Sequence, residues 1–200
     1  QLVDDIDLLP KGYLEFSGSF WNLVSKVETQ QTHGSAQHRI GMLPELANLQ
    51  INDYIIDEQG FIGRVQEINA SSLVLKDLSS AKLAEQEAWG LVPRDIYQSL
   101  ALHLLMDPDI HLVNLTGAAG SGKTILALAA AIEMTVASKR YKRIIVTRST
   151  RGLDEDIGFL PGTEAEKMEP WLGAITDNLE ALHDDDANMS ASVEYILQKV

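Results

Sequence analysis

The chain contains no cysteine. Disulfide bonds and thiolate metal sites are therefore excluded, and a reducing compartment suits this composition. We expect a cytoplasmic protein, because the first nine residues also lack the basic stretch of a secretory signal. Long apolar runs are missing as well. The longest one, residues 125–132, stops at Glu133 and is far shorter than the ~20 residues that span a bilayer, so we expect no membrane partner.

Positive charge is scarce. The chain has 16 Lys and Arg residues against 29 Asp and Glu residues, which gives a net charge of −13 at pH 7. Such a surface is a poor non-specific binder of nucleic acid, so any contact with nucleic acid has to be local. The hydrophobic fraction of 45% supports a packed core, and 200 residues allow one domain plus a smaller one.

One stretch in the second half fits the pattern Gly-x-x-x-x-Gly-Lys-[Ser/Thr] without a mismatch. It comprises Gly117, Ala118, Ala119, Gly120, Ser121, Gly122, Lys123 and Thr124. Glycines and small residues let the backbone bend around a phosphate with its N–H groups directed inward. Lys123 adds a positive charge suited to β- and γ-phosphate oxygens, and the Thr124 hydroxyl is placed to bind Mg²⁺. The stretch therefore predicts a P-loop that binds ATP with Mg²⁺.

The sequence around this loop predicts the fold that carries it. Residues 111–116 are typical of a short buried strand, residues 125–137 of a helix, and residues 144–146 of a second buried strand. Together they form one βαβ unit, in which ligands bind at the carboxyl edge of a parallel sheet. We therefore predict an α/β protein with part of a P-loop NTPase parallel-sheet core, preceded by a small antiparallel β module.

A helix is predicted before the P-loop. Asp95 fits its N-cap, an apolar stripe extends to Met106, and residues 107–109 end it. Gln98 lies in the first turn, off the apolar stripe, and its position alone favours a solvated side chain. After the P-loop helix, the basic run at residues 139–143 complements the helix dipole, and a contact with nucleic acid is the alternative interpretation.

The first half predicts the β module. Candidate strands lie at residues 51–56, 61–68 and 73–75. Turn-forming residues separate them, which indicates a three-stranded antiparallel meander in which Gly63 suggests a bulge. Residues 28–38 are polar and turn-rich, and we interpret them as a solvated, mobile loop. His33 and His38 are interpreted as part of this loop rather than as metal ligands.

The C-terminal part predicts a long functional loop at residues 149–169, an amphipathic helix after Pro170, a solvated turn at residues 184–186 and a last helix from Ser190. No apolar strand ending in Asp or Glu follows the P-loop to hold Mg²⁺. We therefore expect the Walker B carboxylate beyond Val200, in a longer protein of which this chain is a piece. Alone, the chain is expected to bind ATP weakly and to hydrolyse it poorly or not at all.

The P-loop occurs together with Thr147-Arg148-Ser149, Gly-Phe-Leu-Pro-Gly at residues 158–162, Glu166-Lys167 and Pro170-Trp171. This combination, over about residues 90–200, resembles the PhoH-like ATPases, in particular the type that fuses a PIN ribonuclease domain to the PhoH domain. The resemblance implies an ATP-dependent motor that unwinds RNA, binds single-stranded RNA and is coupled to the PIN nuclease. It also allows a ring-shaped homo-oligomer.

The same resemblance implies roles for single residues. Gln98 matches a glutamine that recognises the adenine edge in related helicases, because an amide both donates and accepts hydrogen bonds. Arg148 is the candidate catalytic residue, facing the nucleotide or the nucleic acid. A proline commonly follows that arginine in the family, so Ser149 is a departure that leaves the backbone less restricted. Glu166 and Lys167 are typical of the family, and a mutual ion pair is their default role.

The predicted organisation has three parts. Residues 1–40 are a linker or tail after an N-terminal domain, residues 41–89 are the β-meander module, and residues 90–200 are the N-terminal part of the PhoH-like ATPase domain. The alternative function is a nucleotide-gated assembly module, in which ATP orders residues 152–170 at a subunit interface without unwinding. A small-molecule kinase is disfavoured, because no acceptor-binding Asp/Arg pair follows the P-loop at short range.

Overall fold

A computed structural model describes residues 10–32, 34–79 and 83–147, together with Asp177. The chain divides into two compact units, Gln1–Glu85 and Gln86–Val200. Asp177, in the helix predicted after Pro170, is helical. The other predictions outside the described residues are those for His33, Arg148, residues 149–169 with Glu166 and Lys167, the turn at residues 184–186 and the last helix.

The first unit contains one six-stranded mixed sheet. Its strands are β1 Tyr13–Phe16, β2 Val27–Thr32, β3 Ser35–Gly41, β4 Tyr54–Asp57, β5 Ile62–Ile68 and β6 Ser72–Asp77. They lie in the order β1-β4-β5-β6-β3-β2. The β1–β4 pair is parallel and the other neighbouring pairs are antiparallel. Short 3₁₀ helices lie at Phe20–Leu23, Pro44–Leu46 and Leu83–Glu85.

The predicted meander is confirmed as β4, β5 and β6. Side chains at the turns explain why the chain reverses where it does. Asp57 Oδ1 accepts hydrogen bonds from the N–H groups of Gln59 and Phe61, at 2.9 and 2.8 Å. Asn69 Oδ1 does the same for Ser71 and Ser72, at 3.0 and 2.9 Å. Such side-chain acceptors are the reason that Asp and Asn favour turns.

The prediction of a linker or tail at residues 1–40 is wrong, because β1, β2 and most of β3 lie there and join the sheet. Two local predictions in this unit are wrong as well. Residues 28–38 were expected to be a solvated loop, but most of them belong to the β2–β3 hairpin. All six residues of β2 are exposed, so the strand lacks the apolar alternation that identifies strands in a sequence. The bulge lies between Val65 and Glu67, not at Gly63. Gly63 is needed because a Cβ there would lie 2.7 Å from Cζ of the Phe61 ring.

One buried cluster of the first unit lies on one face of the sheet. Its buried residues are Phe20, Ile40, Leu46, Ile55, Phe61, Val65, Leu73 and Leu75. The Phe20 and Phe61 rings are stacked, with centroids 5.5 Å apart and planes 5° from parallel. Trp21 meets the Phe61 ring edge-on, with centroids 4.8 Å apart. Aromatic packing of this kind stabilises a small sheet beyond simple burial of area.

His38 lies on β3 with its side chain 12% exposed, not in a loop. Its Nδ1 is 2.9 Å from Thr29 Oγ1, and its Nε2 is 3.3 Å from Asp77 Oδ2. Burial opposes ionisation of Asp77, but hydrogen bonds from Ser79 and the contact with His38 lower its pKa overall. Among the described residues, no group of three or more His, Cys, Asp or Glu side chains could hold a metal ion.

The second unit contains two helices, α1 Ile96–Met106 and α2 Lys123–Ile132, and α2 continues as a π-helical turn at Glu133–Ala137. Helical structure therefore extends to residue 137, as predicted. The Asp95 cap is confirmed, because its side chain accepts a hydrogen bond from the Gln98 N–H. The buried residues of α1 and α2 pack together, with Leu102 of α1 against Leu126 and Ala129 of α2.

The predicted parallel strand pair is not formed among the described residues. Residues 111–116 and 144–146 have no strand assignment, and the six strands of the described chain all belong to the first unit. Leu112 is 88% exposed and Ile145 is 76% exposed, so no neighbouring strand covers them. Ile144 and Val146 do pack against α2, which gives this segment one buried side. The part described is thus α/β. The predicted antiparallel module is a mixed sheet, because β1 pairs parallel to β4, and the parallel sheet predicted in the second unit has no described strand.

None of the helices described is both long and apolar enough to cross a bilayer.

Candidate functional site

The loop before α2 has the backbone expected of a phosphate-binding turn. Gly120 and Gly122 have φ angles of 77° and 86°, in the left-handed region that glycine tolerates best. Gly122 is also the N-cap of α2. The N–H groups of the first helical turn have no carbonyl partner within the helix, and the helix dipole is positive at this end. The loop and helix together therefore offer a set of amide donors to an anion.

The Lys123 side chain folds back over this loop. Its Nζ donates to the carbonyl oxygens of Gly117 and Ala118, at 2.9 and 2.6 Å, and to Ser121 Oγ at 3.2 Å. These contacts place the positive charge beside the amide donors. A polyphosphate at this loop would therefore meet both kinds of donor at once.

A cavity of about 360 Å³ adjoins the loop. Its lining residues are Leu91, Arg94, Gln98, Gly120, Gly122, Lys123, Thr124, Ile125 and Leu126. One part of the lining is polar and includes Lys123 and the exposed Thr124, while Leu91 and Ile125 add apolar surface. A charged phosphate chain and a flat base need these two kinds of surface. The residues present therefore fit a nucleoside triphosphate, with the Thr124 hydroxyl available to its Mg²⁺.

Gln98, expected from its position to be solvated, lies against the loop. Its Oε1 accepts a hydrogen bond from the Arg94 N–H at 2.9 Å, and its Nε2 donates to the Ser121 carbonyl oxygen at 3.2 Å. The structure thus brings together Gln98 and residues 117–124. Arg148 lies outside the described residues.

Sequence reasoning did not identify the turn that leads into this site. Ala88 and Leu91 form a β-bridge across Trp89 and Gly90, whose φ angles are 48° and 77°. Two positive φ angles in succession make this a tight turn of the mirror-image type. The Trp89 N–H donates to Glu133 Oε2 at 3.1 Å, which links the turn to the end of α2. A tryptophan with positive φ gives no signal in a sequence, since this conformation is rare for bulky residues.

Leu91 and Arg94 are further site residues that the sequence did not indicate. Arg94 acts on Gln98 through its backbone N–H, and every non-proline residue has such a group. No pattern of side chains therefore points to it.

Known proteins resemble the part of the chain that contains this site. The profile of the family described as PhoH-like protein matches residues 91–198. Protein PhoH2 of Bacillus subtilis is 46% identical over 98 residues, which is 49% of this chain and 22% of that protein. Protein PhoH2 of Mycolicibacterium smegmatis is 38% identical over 122 residues, which is 60% of this chain and 26% of that protein. Protein PhoH of Escherichia coli is 47% identical over 68 residues, which is 34% of this chain and 19% of that protein.

No solved structure matches the chain significantly. The chain spans between 19% and 26% of the length of the three relatives named above. The family profile, by contrast, covers more than half of the chain and includes Arg94, Gln98 and the whole P-loop. The chain therefore belongs to the PhoH-like protein family and carries a P-loop domain of the ATPase type.

Proposed function

We propose that this chain binds ATP and Mg²⁺ through residues 117–124 as part of an RNA-dependent ATPase and helicase motor. The observation that carries the proposal is the position of the Lys123 ammonium. It lies within 3.2 Å of three oxygen atoms of the loop that leads into α2. In the full-length protein we propose that the motor is coupled to a PIN ribonuclease and works as a homo-oligomer. Residues 90–200 are then the start of the motor domain, and residues 41–89 belong to the β module. Residues 1–40, predicted as a linker or tail, contribute β1, β2 and most of β3 to the sheet of that module.

Different groups of the site bind different parts of the ATP–Mg²⁺ ligand. Amide groups of the loop and of the first turn of α2 hold the phosphates, and the helix dipole adds about 0.3–1 kcal/mol for an anion. Lys123 exchanges loop oxygens for phosphate oxygens. The hydroxyl of Thr124 ligates Mg²⁺, which neutralises phosphate charge. The base lies in the cavity beside Gln98.

Binding is tested with a fluorescent ATP analogue. Replacing Lys123→Ala removes the charge nearest the phosphates, and we expect the affinity to fall by at least about tenfold, since hydrogen bonds between charged groups contribute roughly 1.5–3 kcal/mol. Lys142→Ala removes one exposed lysine of the same unit and is the matched control. If the Lys123→Ala variant binds the analogue as well as the wild type, the site is assigned wrongly.

Turnover is a separate question. Phosphoryl transfer needs a carboxylate for Mg²⁺ and a group that orients water, and the arginine finger alone contributes about 10³–10⁵ in rate. Arg148 is the proposed candidate for the arginine. We expect the 200-residue chain alone to bind ATP weakly and to turn it over slowly or not at all. Many turnovers per second by the purified chain would contradict this expectation.

A further inference from the structure

Gln98 contacts the P-loop at the peptide bond that joins Ser121 to Gly122. Its Nε2 lies 3.2 Å from the Ser121 carbonyl oxygen. The same nitrogen lies 3.0 Å from the position that a Cβ on Gly122 would take. The side chain therefore packs directly on this one peptide group, in addition to lining the cavity.

The direction of this carbonyl determines the direction of an amide donor. A trans peptide group is planar, so the Ser121 C=O and the Gly122 N–H point in opposite directions. A side chain that holds the carbonyl on one side therefore directs the Gly122 N–H to the other. Because Gly122 is glycine with a φ of 86°, its own backbone does little to prevent rotation of this peptide plane.

The Gln98 amide is itself held in one orientation. Its Oε1 accepts the Arg94 N–H at 2.9 Å, so a flip of the amide would place two N–H donors against each other. Its backbone N–H donates to the Asp95 side chain at 2.8 Å, which fixes the first turn of α1. The Gln98 end of the contact with Ser121 is therefore held by hydrogen bonds within the protein.

Ser121 connects Gln98 to Lys123 through hydrogen bonds. Its N–H donates to the Ala118 carbonyl oxygen at 3.3 Å, and its Oγ accepts from Lys123 Nζ at 3.2 Å. One residue thus carries the contact with Gln98 on its carbonyl and the contact with Lys123 on its hydroxyl.

We infer that Gln98 is a positioning residue of the phosphate site, which prevents rotation of the Ser121–Gly122 peptide and so directs the Gly122 N–H toward a bound phosphate. This inference rests on the proposed function of the loop. The positioning role is compatible with a contact between Gln98 and the base. An amide has two donors and two acceptor sites, and the protein uses one of each.

Inorganic tripolyphosphate separates the two roles, because it has phosphates and no base. Gln98→Met keeps the length of the side chain and removes its hydrogen bonds. We expect it to weaken tripolyphosphate binding about five- to tenfold, the effect of losing one hydrogen bond from the Gly122 N–H to a phosphate. ATP affinity falls by at least the same factor. Gln59→Met, at an exposed residue of the β4–β5 turn, is the matched control and leaves both affinities unchanged. The affinities are measured by calorimetry on the full-length protein.

The Gly122 amide resonance gives a second readout that needs no ligand. Rotation of a released peptide broadens or shifts this resonance in Gln98→Met and leaves it unchanged in Gln59→Met. If Gln98→Met lowers the midpoint of thermal unfolding, Gln98→Asn is used as the test variant. It keeps an amide, but its side chain is one methylene too short to reach both the Arg94 N–H and the Ser121 carbonyl oxygen. The same loss of tripolyphosphate affinity and the same change at Gly122 are expected.

The outcomes are distinguishable. If Gln98→Met and Gln98→Asn lose affinity for ATP but not for tripolyphosphate and the Gly122 resonance is unchanged, Gln98 reads the base alone and the inference is overturned. If the wild type binds neither ligand, the proposed function fails and this inference fails with it.

Discussion

At the residue scale, Lys123 is already bonded to two carbonyl oxygens and one hydroxyl of its own loop. A phosphate has to replace some of these partners, so the net contribution of the lysine is the difference between two sets of hydrogen bonds. This exchange is why we expect Lys123→Ala to lower the affinity by at least about tenfold, and not by the far larger factor that unscreened attraction between the charges would give.

Asp77 gives a prediction about acid stability. Its folded-state pKa is below the usual value of 3.8, so its carboxylate stabilises the fold fully above pH 3.8 and loses this effect as the pH falls through the lower value. We expect wild type to be more stable than Asp77→Asn near neutral pH, and the difference to shrink as the pH falls below about 4. Urea unfolding at a series of pH values measures it.

The comparison between variant and wild type matters because Asp53 acts in the opposite direction. Burial raises its pKa, against a hydrogen bond from the Gln50 N–H that lowers it. Its titration is common to both proteins and cancels in the difference. A stability difference that does not change with pH would contradict the assigned role of Asp77.

At the scale of elements, a hydrogen bond joins the end of α2 to the turn before α1. Glu133 begins the π-helical turn, and its carboxylate accepts the Trp89 N–H. Trp89 also packs against two buried clusters of this unit, one around Leu126 and one around Ile132. The turn before α1 is therefore joined to the helix that follows the P-loop, within one unit.

Replacing Glu133→Ala tests this connection. Loss of the charged acceptor for the Trp89 N–H is expected to lower the free energy of unfolding by about 1–3 kcal/mol. Glu133→Gln keeps an oxygen acceptor and is expected to lose less. Urea unfolding followed by circular dichroism measures both. Equal losses in the two variants would mean that the hydrogen bond contributes little and that the effect comes from helix propensity or packing.

At the scale of the whole molecule, the net charge of −13 limits how RNA can bind. A polyanion is repelled by most of such a surface, so the proposed RNA site has to be a local cluster of basic residues. The run at residues 139–143, which contains exposed Lys142 and Arg143, is one such cluster in the described part of the chain.

Titration of single-stranded RNA tests the motor. We expect RNA to raise the ATPase rate of the full-length protein severalfold, and the RNA concentration required to increase steeply with salt, because counterions are released on binding. The Lys123→Ala variant controls for contaminating ATPases. If RNA leaves the rate unchanged while ATP changes the oligomeric state, the protein is a nucleotide-gated assembly module.

Features of the fold that depend on neighbouring residues in the sequence were predictable, and features that depend on distant segments were not. Glycine, capping and turn preferences depend on neighbours a few residues away. The sequence therefore predicted the glycine-rich turn before α2, the Asp95 cap and the β4–β5–β6 meander. The β2–β3 hairpin was missed, because a fully exposed strand has no apolar alternation. The expected parallel strands at residues 111–116 and 144–146 are described and are not formed, because an apolar run does not by itself specify a strand or its partner.

The sequence by itself determined which residues form the glycine-rich turn before α2, since the positive φ angles of Gly120 and Gly122 favour glycine. Tertiary structure decided what holds the turn in place. The Gln98–Ser121 contact joins residues 23 positions apart, and the Trp89–Glu133 contact joins residues 44 positions apart. Contacts at such separations depend on how α1 and α2 pack, and this packing comes from buried apolar area that many sequences could provide.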